Sequence, residues 1–555
     1  MHKKHTITLA VLSLLFVAFL SCGPVSPNNP PPADGGADNS PPVDGKGDNP
    51  LPVLGGVETN CTDSKDNDGD GSPDSADGDC WIKNGAVFME DFRPLRTFKE
   101  LTELAPQLKA IGVQTVELFG LWEHANSQLP GYRWATRDFS KLDPARGSET
   151  DFNAFVNTSH TTGLKILPLV VSTVSVTPTA SDCANKTCLK FHYDGEGKGG
   201  ALYRYWKENP TMDIFIKNKD GIPSCDYSGY GFVVDLESPA VLSFFGNFYS
   251  QQISARNLDG MRIDTPTVHS CQAGENLYYE CNTPCSCPDV SAKNQDPLKF
   301  YRSIAKLKNA NQVFISEAYL SKPRFSNWWC NFPYYPPETN FDEVARVSEG
   351  YEFAALLANN ILQNPLTSAQ LVEWIRHQPI GDGGDRFRMI RNANGTELPI
   401  IQFVSLSKSY YPAVILASTI PGVPKLTDYE LFGNKEYDDT HDITPINTPE
   451  SRREQWKNVL NIRNSNNALK YGDIKNVWKS GEKIFAYSRN YEGDAVVVAI
   501  NFNGKDTVSY LDLSFLKKGN TLHDKLSSEV LTVDSPQDFQ ISIPAYGSRI
   551  LILNQ

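Results

Sequence analysis

No apolar run in this chain is long enough to cross a bilayer. The longest, Ile7 to Leu20, has fourteen residues, where a spanning helix takes about 20. An excess of basic charge is missing too: 52 Lys and Arg stand against 65 Asp and Glu, a net charge of −13. Losing Lys3 and Lys4 with a leader makes it −15. A surface of that sign repels phosphate backbones and speaks against nucleic acid as a partner. Histidine is scarce (9 residues), and none lies inside the cluster Cys281-x3-Cys285-x-Cys287, so disulfides suit that cluster better than zinc. Apolar residues, in contrast, are plentiful. At 40% hydrophobic and 11% aromatic over 555 residues, the chain can bury several cores and is not wholly disordered.

Residues 1–21 read as a signal peptide: His2, Lys3, Lys4 and His5 precede the short apolar run. The run closes on Phe19-Leu20-Ser21-Cys22, which resembles a bacterial lipoprotein cleavage site with Cys22 as the lipidated residue, although Phe19 departs from the usual Leu or Val. Gly23 after Cys22 resembles lipoproteins sent to the outer membrane. The expectation is a protein of the bacterial cell envelope, held to the membrane by a lipid anchor. Removing Cys22 leaves ten of the 11 cysteines, an even set that allows up to five disulfides in an exported chain.

Residues 22–57 are rich in Pro, Gly, Asp and Asn, with a ten-residue repeat at 31–40 and 41–50. They have too little to bury to offset their ordering entropy, and read as a tether. Residues 58–80 form a separate motif. Asp66, Asp68, Asp70, Asp74 and Asp77 occupy loop positions 1, 3, 5, 9 and 12, with Ser72 at position 7 and Gly71 at position 6. That is the oxygen cage calcium requires, with Cys61 and Cys80 bracketing it. An acid-rich linker is the plainer alternative.

From residue 85 short apolar strands alternate with amphipathic helical stretches. Ala86–Met89, Thr115–Phe119, Ile166–Val171, Gly260–Asp264 and Val313–Glu317 read as strands, and 96–110, 149–162, 240–256 and 296–309 as helices. Repeated βα units over this length predict an α/β fold, a (β/α)8 barrel over 81–465 with an inserted domain at 174–230. Function then belongs at the C-terminal strand ends, where Asp264 and Glu317 fall. Arg262, two residues before Asp264, shares its face and can keep that carboxylate ionised. Two such carboxylates, nucleophile and acid, are the equipment of a retaining glycosidase.

Leu258-Asp259-Gly260-Met261-Arg262-Ile263-Asp264 resembles the nucleophile strand of the α-amylase family of glycoside hydrolases, and Ile315-Ser316-Glu317 its acid/base strand. Gly131-Tyr132-Arg133-Trp134 and Leu142-Asp143-Pro144-Ala145-Arg146-Gly147-Ser148 resemble the loop after the second strand, where the family sets a Tyr beneath the reacting sugar. His160-x2-Gly163-Leu164-Lys165-Ile166 is similar to the entrance to the third strand, and Ile420-Pro421-Gly422-Val423-Pro424 to the eighth. Trp456 to Gly472 resembles the passage into a C-terminal antiparallel β-sandwich, here 466–555.

The resemblance implies a monomer acting on α-glucan polysaccharides or oligosaccharides, with Asp264 and Glu317 catalytic and Asp382 as third carboxylate. Asp385 is the fallback for that third position. It implies sugar contacts from Arg262, Tyr132, Trp122, Trp134, His269 and Arg386. There are departures. Pro168, Ser172 and Thr173 replace the third strand's usual Asp, Asn and His, so calcium is expected in the 66–77 loop and not at the family's barrel site. Gly381 stands where a sugar-contacting His is usual, and the His often found four residues after Asp264 is Val268, with His269 one further. A catalytically inactive or weakly active glycan-binding surface lipoprotein on the same fold is the alternative.

Overall fold

The computed structural model describes residues 64–66, 73, 80–81, 88–91, 96–124, 136–172, 174–178, 197–217, 221, 223, 231–264, 276–280, 283–286, 300, 304, 312–316, 347–350, 367–376, 389–391, 408–432 and 448–554. Eight parallel strands close into a barrel: β1 (Phe88–Asp91), β2 (Thr115–Leu118), β3 (Lys165–Val171), β4 (Gly260–Asp264), β5 (Val313–Ser316), β6 (Val347–Gly350), β7 (Met389–Arg391) and β8 (Val423–Thr427). Chain order is barrel order, and β1 pairs with β8 to leave no free edge. The α/β barrel expected from the sequence is the architecture observed.

The helices between strands begin where the sequence supplies caps. Helix α1 (Phe98–Ile111) opens on a capping box of Thr97 with Glu100, and α2 (Glu149–Thr162) on one of Ser148 with Asp151. Each presents an apolar stripe to the barrel, Phe98, Leu101, Ala105 and Leu108 from α1 and Phe152, Phe155 and Val156 from α2, all buried. Between β3 and β4 lie α3 (Ala201–Glu208) and α4 (Pro239–Phe248), and α4 runs on into a π-helical stretch, Tyr249–Ser254. Val174–Ser175, at the start of the span expected as an inserted domain, pairs antiparallel with Phe232–Val233, just past its end.

Gly260 shows why the start of β4 needs glycine. Its φ is +132°, and a Cβ there would stand 1.9 Å from the Val313 carbonyl oxygen of β5. No other residue tolerates both the conformation and the contact.

Helices α5 (Ser368–Arg376), α6 (Tyr410–Thr419) and α7 (Pro449–Asn464) are the longer described helices of the second half of the barrel, beside two short ones at Asp428–Phe432 and Asn467–Tyr471. Tyr410 donates to Glu430 Oε1 at 2.8 Å and accepts from Trp456 Nε1 at 3.0 Å, fastening the segment after β8 to α7. Burial pushes the Glu430 carboxyl up to about 7. After α7 come two antiparallel sheets, one of six strands and one of three. Asp494–Ile500 of the larger sheet serves two cores at once. Val496, Val498 and Ile500 pack toward the barrel, while Ala495, Val497 and Ala499 pack with Leu511, Ile541 and Ile543 of the smaller sheet. Arg489 ties this unit to the barrel, donating from Nη1 to the Thr419 carbonyl (2.6 Å) and from Nε to that of Gly472 (2.8 Å). Cys80 is buried and disulfide-bonded. No described helix is long and apolar enough to cross a membrane.

Candidate active site

The C-terminal ends of β4 and β5 form the centre of the candidate site. Their register pairs Val313 with Gly260, Ile315 with Arg262 and Ser316 with Ile263. On its other side β4 pairs with β3, Val171 opposite Asp264. Asp264 is thus the last residue of β4; of it the backbone alone is described. Glu317 follows the last residue of β5 and lies outside the described residues, as do Tyr132, Trp134, His269, Asp382 and Arg386.

Arg262 is fully buried within the barrel, and sequence reasoning missed what surrounds it. Glu117 of β2 and Lys425 of β8 are also buried, at 1% and 3% side-chain exposure. Lys425 Nζ contacts Glu117 Oε2, and Arg262 Nε stands 3.9 Å from the same oxygen. Among the described side chains the barrel interior at this level therefore carries two cations and one anion. The signal was present in the sequence, since a Glu in Thr-Val-Glu-Leu and a Lys in Val-Pro-Lys-Leu-Thr interrupt strands that a parallel barrel would otherwise fill with apolar side chains.

The loop after β2 is held by the segment that carried the family resemblance. Arg146, fully buried, donates from Nε to the Gly120 carbonyl at 2.9 Å, from Nη1 to that of Arg96 at 3.0 Å, and from Nη2 to that of Phe119. Asp143 contacts His124 Nδ1 and accepts from the Ala145 amide at 2.8 Å. Burial would push the Asp143 carboxyl up, but hydrogen bonding and charge from His124, the Ala145 amide and the charge of Arg146 outweigh it and hold the group below its ordinary value.

One expectation changes. Trp122 is 1% exposed, with the rings of Phe139 (5.6 Å) and Phe248 (4.9 Å) set edge-on against it. It is a packing residue, because no ring face is left for a sugar. The expected third carboxylate falls outside the described residues. Strand β7 spans Met389–Arg391, so Asp382, Asp385 and Arg386 precede it in the chain, and all three lie outside the described residues. The residues that follow β7 are Asn392, Ala393 and Asn394, none of them a carboxylate.

Of the expected calcium ligands, Asp66 is described and exposed; Asp68, Asp70, Ser72, Asp74 and Asp77 lie outside the described residues, as does Cys22. No cluster of three or more His, Cys, Asp or Glu suited to a metal occurs among the described residues. At the C-terminal end of β3, Ser172 is buried and its hydroxyl has no hydrogen-bond partner among them.

Behind β3 and β4, His160 Nε2 meets Asp259 Oδ2 at 2.8 Å, and the same carboxylate oxygen accepts from the Ile166 amide at 2.8 Å. This joins α2, β3 and the approach to β4. Hydrogen bonding from Asp259, opposed by burial, raises the His160 pKa above its ordinary value. The tie is complete below the unfolded-state pKa of about 6.5 and weakens as pH rises through the folded value. In urea unfolding, His160→Gln is therefore expected to fall further below wild type at pH 5.5 than at pH 9. An equal deficit at both pH values would refute the charged pairing.

The fold defined by this barrel is that of the α-amylase family of glycoside hydrolases, to which its similar proteins and structural neighbours belong. No family model matches the chain. A solved maltogenic alpha-amylase from Thermotoga neapolitana superposes with a TM-score of 0.62 at 15% identity, over 85% of this chain and 98% of that one. An amylopullulanase of Thermoanaerobacterium thermosulfurigenes is 22% identical over 516 residues, 84% of this chain but only 26% of the relative's own length. An alpha-amylase of Niallia circulans is 22% identical over 423 residues, covering 73% of this chain and 70% of the relative.

Proposed function

We propose that the chain is a retaining glycoside hydrolase or transglycosylase acting on α-linked glucans such as starch or maltooligosaccharides. The observation that carries this reading is the register of β4 and β5. Ile263 pairs with Ser316, and the next residues on the two strands are Asp264 and Glu317. Neighbouring strands run about 4.8 Å apart, close to the roughly 5–5.5 Å between carboxyl groups in retaining enzymes. The amylopullulanase and α-amylase relatives point to α-glucans as the substrate class.

In this mechanism Glu317 gives its proton to the glycosidic oxygen as that bond to the anomeric carbon breaks. The Asp264 carboxylate attacks the same carbon from the opposite face and forms a glycosyl ester. Glu317, now a carboxylate, takes a proton from water or from an acceptor sugar's hydroxyl, whose oxygen displaces Asp264. Arg262, two residues before Asp264 on the same face of β4, favours an ionised Asp264. Tyr132, Trp134 and His269 are assigned to sugar contacts around that centre. A panel of starch, glycogen, pullulan and sucrose, assayed for reducing sugar, tests the reading; release from none of them would refute it.

A second reading is a catalytically silent glycan-binding protein on the same fold. The amide-bearing residues after β7 and the replacements at Pro168 and Ser172 favour it. The same panel separates the two, since the second predicts binding without release.

The remaining parts of the proposal concern organisation. Residues 1–21 are a leader, 22–57 a tether from lipidated Cys22 in the outer membrane, 58–80 a calcium loop, 174–230 an insertion in the barrel, and 466–555 a β-sandwich on a monomer. Membrane fractionation of Cys22→Ser and calcium titration of the chain with and without 58–80 test the anchor and the ion. Membrane retention of the first, or undiminished binding by the second, would remove that part.

A further inference from the structure

A cleft of about 340 Å³ opens on the outside of the barrel, and none of its lining residues lies on a barrel strand. Its walls are the strand Thr136–Leu142, helix α3, and α4 with its π-helical continuation. That volume lies near the lower end of the range for small-ligand sites.

The floor is aromatic. Phe244 sits 5.9 Å from Phe139 and 5.1 Å from Tyr205, ring centre to ring centre, and both Phe244 and Tyr205 remain partly exposed. Around this floor the charges cancel. Arg137 and Arg204 stand against Asp138 and Glu208, with Arg204 Nη1 3.7 Å from Asp138 Oδ2. A cleft balanced in this way selects neither an anion nor a cation.

Polar groups without an assigned task line the rim. The side-chain polar atoms of Tyr205, Glu208, Asn247 and Gln251 have no hydrogen-bond partner among the described residues. Gln251 and the adjacent Gln252 both reach the cleft from the π-helical stretch, a departure from α-helical winding that is frequent at functional sites. Gln252 is already engaged, accepting from Arg256 Nε at 2.8 Å. Partly exposed rings, a few free amide, carboxylate and hydroxyl groups, and no net charge together match a neutral polyhydroxylated ligand with apolar ring faces.

We propose that this cleft is a second binding site for a neutral oligosaccharide, holding a glycan chain on the outer face of the barrel. It rests on the proposed function only for the choice of an α-glucan as probe. The test is native electrophoresis of the full-length chain in gels with and without glycogen, together with the variants Asn247→Ala/Gln251→Ala and Gln251→Trp. The first variant removes two hydrogen-bonding amides from the rim, and the second fills the cleft.

Glycogen is expected to retard wild type and to retard either variant roughly ten-fold less, the loss expected for two polar contacts. Melting temperatures should match wild type, since Asn247 and Gln251 are exposed. Variants retarded as strongly as wild type overturn the proposal, as does wild type that glycogen does not retard. Retardation lost in the variants, in a chain that hydrolyses no glucan, would uphold this site and refute the hydrolase reading. Hydrolysis with no variant effect would do the reverse.

Discussion

Asp264→Asn and Glu317→Gln are each expected to lower turnover on the best α-glucan substrate by roughly four orders of magnitude, as loss of a nucleophile or its proton-transfer partner does elsewhere. The two should fail differently. On the proposed mechanism Asp264→Asn removes the nucleophile, so no covalent intermediate should be trapped and no pre-steady-state burst seen. Glu317→Gln removes the leaving-group proton, so a substrate with a leaving group that needs no protonation should recover much of the first step. Turnover at wild-type level in both variants would displace the site from the β4 and β5 ends.

Lys425→Met is expected to destabilise the fold by about 3–5 kcal/mol, the cost of removing one partner from a buried ion pair. Glu117 is 1% exposed, and its Oε1 has no hydrogen-bond partner among the described residues. Adding Glu117→Gln should return part of the loss, because the anion left without its Lys425 partner goes with it while Arg262, 3.9 Å away, loses its neighbouring charge. Urea unfolding of the two single variants and the double variant measures this directly. Additive losses would mean the two groups do not interact, and a loss below about 1 kcal/mol for Lys425→Met would mean the pair is not desolvated. The same variant bears on chemistry: with one cation fewer below the β4 end, an ionised Asp264 is less favoured, and the acid limb of the pH–rate profile should move to higher pH.

Much of the scaffold was legible from local pattern alone. Gly260–Asp264 was read with its observed bounds, and so was α2, because a capping residue, an apolar period and a terminating Gly163 all lie within one short segment. Asp259-Gly260 was read as part of a motif, and its reason is steric: Gly260 passes against the Val313 carbonyl. Strands β6 and β7 were not anticipated. Val-Ser-Glu-Gly and Met-Ile-Arg are too short and too polar to carry a strand signal, and only hydrogen bonding to their barrel neighbours defines them.

The sequence by itself determined the βα rhythm, the pair Asp264 and Glu317 at successive strand ends, and the capped helices, since each depends on residues close together in the chain. The tertiary structure decided which rings are buried, enclosing Trp122 between Phe139 and Phe248. It also brought Glu117, Arg262 and Lys425 together across the barrel, although 308 positions of sequence separate the first from the last. Burial and long-range charge pairing are properties of closure: a strand's periodicity assigns a side chain to the barrel interior, and only the closed ring of eight strands determines which other side chains it meets there.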